Sequence, residues 1–233
     1  MSAVDANDRA TLVAWFDTVA GYRFLNSDSL LLALVHRSVG HENNERLEFL
    51  GDAVLDTVVS HRLYALRPDA DEGELSRVRS VLVREVSLAT IAEQLGIDQH
   101  LLLGPGERKS GGHRRASILA DTLEALLGAV FLDGGYPAAE RVIDRWFTTA
   151  LRELPANAAL KDPKTRLQEW LQQRAAPLPS YRVIAVSGAA HEQRFEVECE
   201  LVDRQRSFSA SGTSRRKAEQ RAASAALDYL ENK

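Results

Sequence analysis

The chain has 233 residues, 45% of them hydrophobic and 27% charged, with a formal net charge of −4. That length carries one large core or two smaller ones, and an ordinary charge content excludes wholesale disorder. One cysteine, Cys199, excludes an internal disulfide framework and a cysteine-based zinc site, and it suits a reducing compartment. It reads as a small buried hydrophobe.

The N-terminal MSAVDANDRA has no basic region followed by an apolar run, so no secretory signal is expected. No stretch approaches the eighteen or so consecutive apolar residues of a membrane span. A cytoplasmic protein without membrane partners is expected. Leu12, Val13, Trp15, Phe16 and Val19 give Asp8 to Val19 a helical face. A short second helix is expected from Asp28 to His36, capped by Asp28 or Ser29. Asn44 is expected to cap a third helix that runs to about Tyr64 and stops before Pro68. Gly73 to Leu95 reads as one long helix closed by Gly96. GPGERKSGG, Gly104 to Gly112, reads as a loop; it lacks the GK[ST] of a phosphate-binding P-loop. A helix follows from about Arg115 to Phe131, then the turn DGGYP (Asp133 to Pro137), then a last helix to about Leu154.

Residues 155–163 are small and polar with two prolines, the composition of an interdomain linker. Beyond them the pattern changes. Thr165 to Arg174 reads as a helix. Ser180 to Val186, Arg194 to Leu201 and Gln205 to Ser211 alternate as strands, and Ser214 to Leu230 is an Ala-rich helix. The expected architecture is an all-α domain over 1–154 and a small α+β domain, α-β-β-β-α, over 164–233. Charge divides in the same way. The last 78 residues hold 13 Lys+Arg and 10 Asp+Glu, a balance of +3, which leaves −7 on the first 155. A basic tail domain points to a polyanion partner.

The acids of NERLEFLGD carry the strongest chemical signal. Glu48 and Asp52 lie one turn apart, about 6 Å along a helix axis, and Glu45 lies about 10 Å from Asp52. A solvated acidic stripe is the ordinary fate of such a run. Two features count against it: Leu47, Phe49, Leu50, Ala53 and Val54 leave little of the helix for water, and Gly51 sits mid-helix at a cost of about 1 kcal/mol against alanine. A glycine there allows close approach of something. A second pair, Asp121 and Glu124, lies in the apolar ILADTLEALLGAVFL, where unpaired acids are expensive. If the two pairs meet, they cannot all stay ionised without cations. Hard oxygen ligands suit Mg²⁺ or Mn²⁺. Such ions can activate water toward a phosphodiester, alone or as a pair about 4 Å apart.

NERLEFLGDAVL (Asn44 to Leu55) resembles the signature of the ribonuclease III family. HRS (His36 to Ser38), DEGELSRVRSVLV (Asp71 to Val83) and GPGERKSGG with RRASILADTLEALLGA also match, in the family's order. The resemblance implies that Glu48, Asp121 and Glu124 are metal ligands and that Asp52 is catalytic together with Glu124. It implies supporting roles for Glu45 and Glu72. It also implies a homodimer in which each of two active sites cuts one strand of double-stranded RNA, with Mg²⁺ as cofactor and Mn²⁺ able to substitute. Products would carry 5′-phosphates, 3′-hydroxyls and two-nucleotide 3′ overhangs. Processing of ribosomal RNA precursors and of some messenger and transfer RNA is the implied role. Phe49 matches the aromatic that docks into the partner subunit; the alternative is a residue of its own core.

The tail domain offers what duplex RNA requires, because that duplex is read by shape, 2′-hydroxyls and phosphates. Thr165, Gln168, Glu169 and Gln172 share one face of the first helix. SGAAHEQ carries His191 on a loop. Ser214, Arg215, Arg216 and Lys217 open the last helix, where dipole and basic side chains together favour phosphate. Taken singly each is an ordinary wet face or charge run; in α-β-β-β-α order they resemble a double-stranded-RNA-binding domain. The family's loop commonly reads Gly-Pro-x-His, whereas this chain has Gly188-Ala189-Ala190-His191, and Thr213 stands where a basic residue is common. Two rival readings remain at this stage. One is a double-stranded-RNA-binding protein without nuclease activity. The other is a different helical metal enzyme with acid-rich helices, which lacks its DDxxD pair here and gives no reason for the tail domain.

Overall fold

The computed structural model describes residues 6–154, 162–189 and 192–231. It divides into two compact units, Met1–Leu154 and Pro155–Lys233. The first is built from helices α1 (Ala6–Ala20), α2 (Ser27–Ala33), α3 (Glu45–Leu66), α4 (Glu72–Leu82), α5 (Glu85–Gln94), the short α6 (Pro105–Lys109) and α7 (Ala116–Arg152). Among the described residues no helix is long and apolar enough to cross a membrane.

The first half of α7 is the axis of this unit. Ile118, Leu119, Leu123, Leu126, Leu127 and Val130 are buried around most of its circumference, and α3, α5 and α2 pack against it. A helix apolar on nearly all sides must be enclosed, and this one is. At Gly135 (φ 70°, ψ −174°) the helix kinks sharply, in backbone space open to glycine alone, and Pro137 restarts it. Asp133 fastens the bend. Its carboxylate accepts from Tyr22 Oη (2.6 Å), Leu25 N–H (2.7 Å) and Asn26 N–H (2.9 Å), and those donors hold it below the usual carboxylate range despite burial.

Several local expectations are corrected. Gly73 to Leu95 is not one helix. Arg84 is extended (φ −68°, ψ 151°) and separates α4 from α5, and Ser87 Oγ donates to the freed carbonyl of Val81 at 2.7 Å. No glycine or proline marks that break, so composition does not announce it. Gly96 does stand in the left-handed region after α5 (φ 73°). Asn44 has helical dihedrals and caps nothing with its side chain; its amide donates to Ala33 O, while Asn43 Oδ1 accepts from Glu45 N–H at 3.0 Å. Asn26, rather than Asp28 or Ser29, caps α2. The Gly104–Gly112 stretch is not plain loop: it contains α6 and leads into a 3₁₀ turn, Gly112–Arg114.

The second unit places α8 (Pro163–Gln172) and α9 (Arg215–Glu231) with a sheet of β1 (Ser180–Ser187), β2 (Arg194–Leu201) and β3 (Arg206–Gly212), antiparallel in the order β1-β2-β3. Pro163 already opens α8, so the helix begins inside the stretch read as linker. Leu167, Leu171, Cys199, Leu201, Ala222, Ala223, Ala226 and Leu227 form its core. The alanines let α9 lie close to the sheet, and Cys199 is the buried hydrophobe expected. The alternation of β1 is broken by a bulge between Val183 and Ala185, which leaves Ile184 and Val186 exposed.

Candidate active site and nucleic-acid interface

The crossing of α3 and α7 is set by two glycines. A Cβ on Gly51 would lie 1.8 Å from Glu124 O, and a Cβ on Gly128 would lie 2.2 Å from Leu47 O. Backbone therefore touches backbone, which no larger residue permits. Gly51 is thus the close-approach position that its sequence context suggested. The contact brings the acids of α3 beside those of α7.

One carboxylate oxygen each from Glu48, Asp121 and Glu124 lies within 4.8 Å of the other two. An octahedral Mg²⁺ with oxygens at about 2.1 Å holds its ligands about 3–4 Å apart, so small side-chain movements close the trio on an ion. The trio is half-buried. Burial first, then Asp52, Asp121 and Glu48, push the Glu124 carboxyl up to about 8. Burial and then Asp121 and Glu45 raise Glu48; burial and then Glu85 raise Asp121. Three acids that resist ionisation together are the electrostatic mark of a cation site, and oxygen donors with partial exposure fit a hard divalent ion that keeps some water.

Asp52 is exposed one turn beyond Glu48, close enough to act on Glu124 but outside the trio. Glu45 is exposed and faces Arg37 Nη1 at 3.4 Å. Glu72 is not brought to the cluster. It lines a cavity of about 590 Å³ with Ser60, His61, Tyr64 and Arg79. Ser60 lies twelve residues past Glu48, about 18 Å along the helix. Phe49 is 81% exposed, which removes the reading that it belongs to its own core. Ala53 is exposed as well, so the outer side of α3 is less covered than its sequence suggests.

Two acids near the cluster were not singled out from sequence. Asp56 extends the α3 ladder of Glu48 and Asp52 by one turn. Its Oδ1 is buried without a hydrogen-bond partner, Arg79 Nε is 3.9 Å away, and burial raises its carboxyl. The i+4 spacing from Asp52 was its available signal. Glu85, at the start of α5, acts on Asp121 and had no such signal.

In the second unit, Asp162 caps α8 by accepting from Thr165 N–H at 3.0 Å, and Thr165 Oγ1 lies 3.1 Å from the same carboxylate. Gln168 and Gln172 are exposed on the side next to the buried Leu167 and Leu171; Glu169 is half-buried. Ser214 Oγ caps α9 by accepting from Lys217 N–H (3.2 Å). Gly212 has no room for a Cβ, which would meet Ala218 N at 2.6 Å; this lets β3 run directly into the helix. Arg215, Arg216 and Lys217 are exposed at the positive end of α9. Arg215 Nε donates to Glu219 (2.8 Å), which also binds Lys164 Nζ (2.7 Å), so the first turns of α8 and α9 are joined. His191 lies outside the described residues.

The family model described as Ribonuclease-III-like matches residues 26–151, and that of the double-stranded RNA binding motif matches residues 163–230. The chain belongs to the ribonuclease III family. It is an endoribonuclease of that family with a double-stranded-RNA-binding domain. Ribonuclease 3 of Photorhabdus laumondii is 51% identical over 211 residues, covering 91% of this chain and 93% of that protein. Ribonuclease 3 of Alcanivorax borkumensis is 53% identical over 212 residues, again covering 91% and 93%. The crystal structure of the nuclease domain of ribonuclease III from Campylobacter jejuni superposes with a TM-score of 0.58 at 38% identity, covering 61% of this chain and 98% of that one. A second structure of that domain, with a TM-score of 0.56 at 40% identity over 58% of this chain and 99% of that one, is described for flexibility in a region involved in dimer formation.

Proposed function

We propose that this ribonuclease III family member hydrolyses double-stranded RNA with Mg²⁺, with Mn²⁺ able to substitute. Its working parts are a nuclease domain over 1–154, a linker that opens at 155 and ends where Asp162 caps α8, and an RNA-binding domain from α8 to 233. The carrying observation is the convergence of Glu48, Asp121 and Glu124 at the Gly51–Gly128 crossing. Those three would hold the metal, with Asp52 and Glu124 as the catalytic acids, Glu45 as a supporting acid beside them, and Glu72 as a supporting acid acting from its separate cavity. When bound, the ion supplies polarisation of the phosphate and a more acidic attacking water. The residues' own part is to place oxygens on one side of the scissile phosphate and keep that side partly dry.

Thr165, Gln168, Glu169, Gln172, His191, Ser214, Arg215, Arg216 and Lys217 are the proposed RNA contacts. The exposed Phe49, beside the exposed Leu132 in one surface cavity, supports a homodimer interface. The proposed products carry 5′-phosphates and 3′-hydroxyls with two-nucleotide 3′ overhangs. The proposed role is cytoplasmic maturation of ribosomal RNA precursors and of some messenger and transfer RNA.

The test is cleavage of a perfect RNA duplex of a few tens of base pairs, in Mg²⁺ and in EDTA, beside a single-stranded control. Cutting that needs both duplex and metal is expected. Binding without cutting in Mg²⁺ would move the chain to the class of RNA-binding proteins without nuclease activity.

A further inference from the structure

The triplet HRS lies just before α3, and its first and last residues are anchors. His36 is buried, and its N–H donates to Leu102 O at 3.0 Å. Its Nδ1 accepts from Ser38 N–H (3.2 Å) and lies 2.8 Å from Ser38 Oγ. Ser38 Oγ accepts from Gly104 N–H at 2.9 Å, and a Cβ on Gly104 would lie 2.3 Å from Ser38 O. Burial pushes the His36 imidazole down, so it stands as a neutral acceptor in this clamp. The turn is thereby fixed, and the residue between its anchors is held out to solvent.

That residue is Arg37. Its side chain is 70% exposed, and its Nη1 lies 3.4 Å from Glu45 Oε1. Its charge also offsets those of Glu48 and Asp121. The nearby Arg115 is committed to Glu107 at 3.0 Å. A long, exposed ion pair such as Arg37–Glu45 is weak and exchanges readily. A guanidinium fork matches the tetrahedral oxygens of a phosphate better than a single carboxylate oxygen at 3.4 Å.

We propose that Arg37 is a substrate-binding residue of the cleavage site, leaving Glu45 to grip the RNA phosphate presented to Glu48, Asp121 and Glu124. This inference rests on the reading of that trio as the cleavage site. It has two opposed consequences. Without Arg37 the phosphate loses a cationic donor, and the acids lose a positive neighbour that competes with the metal ion.

The test uses the full chain with Arg37→Ala and Arg37→Lys. Single-turnover cutting of a duplex is followed against Mg²⁺ concentration, and duplex binding is measured in EDTA. Arg37→Ala is expected to cut at least about tenfold more slowly at saturating Mg²⁺, below the usual range for a preorganised donor because the site is open. Its half-saturating Mg²⁺ should fall, binding in EDTA should stay within about twofold because the tail domain is intact, and Arg37→Lys should recover part of the rate. A merely structural role would not lower the Mg²⁺ requirement. Wild-type rates in Arg37→Ala, or an unchanged Mg²⁺ midpoint with a slow Arg37→Lys, would overturn the inference and leave the trio's assignment standing. A wild-type chain that leaves the duplex intact in Mg²⁺ overturns the trio's assignment, and Arg37 with it.

Discussion

The two charged regions of this molecule are built on opposite terms. Glu48 of α3 and Asp121 and Glu124 of α7 are half-buried, crowd one another and are forced together by a backbone contact. The basic residues that open α9 are exposed and mount on a helix end already favourable to anions. The acidic region requires atomic placement and a counter-charge. The basic region requires only that cations lie on the correct side of a small domain. One is therefore brittle and cooperative, the other tolerant and nearly additive.

The largest effect should come from breaking the helix crossing. Gly51→Ala puts a methyl into the Glu124 carbonyl, and backbone cannot step aside as a flexible side chain would. A loss of about 3 kcal/mol or more is expected from such overpacking, with a fall in cleavage of about 10²-fold or more from displaced acids. A Cβ on Gly40 would have nothing within 4 Å, so Gly40→Ala is the control and should leave stability within about 0.5 kcal/mol. Denaturant midpoints and single-turnover rates check both.

Next in size is Glu124→Gln, which keeps the shape and removes the charge. Cutting should fall by about 10³-fold while duplex binding stays within about twofold, measured by single-turnover kinetics and gel shift. If binding fell as far as cutting, the separation between the two regions would be wrong.

The pH dependence is smaller but tests the electrostatics directly. Glu124 is raised from its ordinary 4.5 to about 8. Between those values the folded protein keeps a proton that the unfolded chain has released. The stability tied to that proton is complete below about 4.5 and is lost as pH rises through about 8. Without metal, the melting temperature should decline across that window, and more weakly in Glu124→Gln. Mg²⁺ should raise it more at pH 8 than at pH 5, because the ion meets ionised ligands only at the higher pH. Calorimetry in EDTA and in Mg²⁺ separates these curves.

The smallest expected change lies in the tolerant region. Replacing Arg215 and Arg216 with alanine should weaken duplex binding and flatten its salt dependence by about one unit per lost phosphate contact. An unchanged slope would place the duplex on another face.

Much of both regions was legible in the sequence, but unevenly. Gly51 and the apolar context of Asp121 and Glu124 announced the crossing and the cluster, because a helix tolerates such residues only for a reason. The order α-β-β-β-α was readable from alternation, yet the bulge in β1 was not, since a bulge leaves the residue types unchanged. The break between α4 and α5 at Arg84 escaped because it is made by a serine bonding back to a carbonyl, with no glycine or proline. The capping role assigned to Asn44 failed because tertiary structure drew its amide inward to Ala33. Asp56 was within reach of the spacing argument. Arg37 was not, because its importance depends on a fold that carries it back to α3 from outside that helix.

The contact of Gly51 with α7 also bears on how this molecule can drift. Where side chains space two helices, exchanging one apolar residue for another shifts their separation. At the crossing, peptide groups themselves are the spacer, and peptide groups do not vary between residues. The separation of the acids is thus insulated from turnover in the surrounding core. A change among the leucines and valines around α7 therefore leaves this spacer untouched, and the demand for an exact fit falls on Gly51 and Gly128.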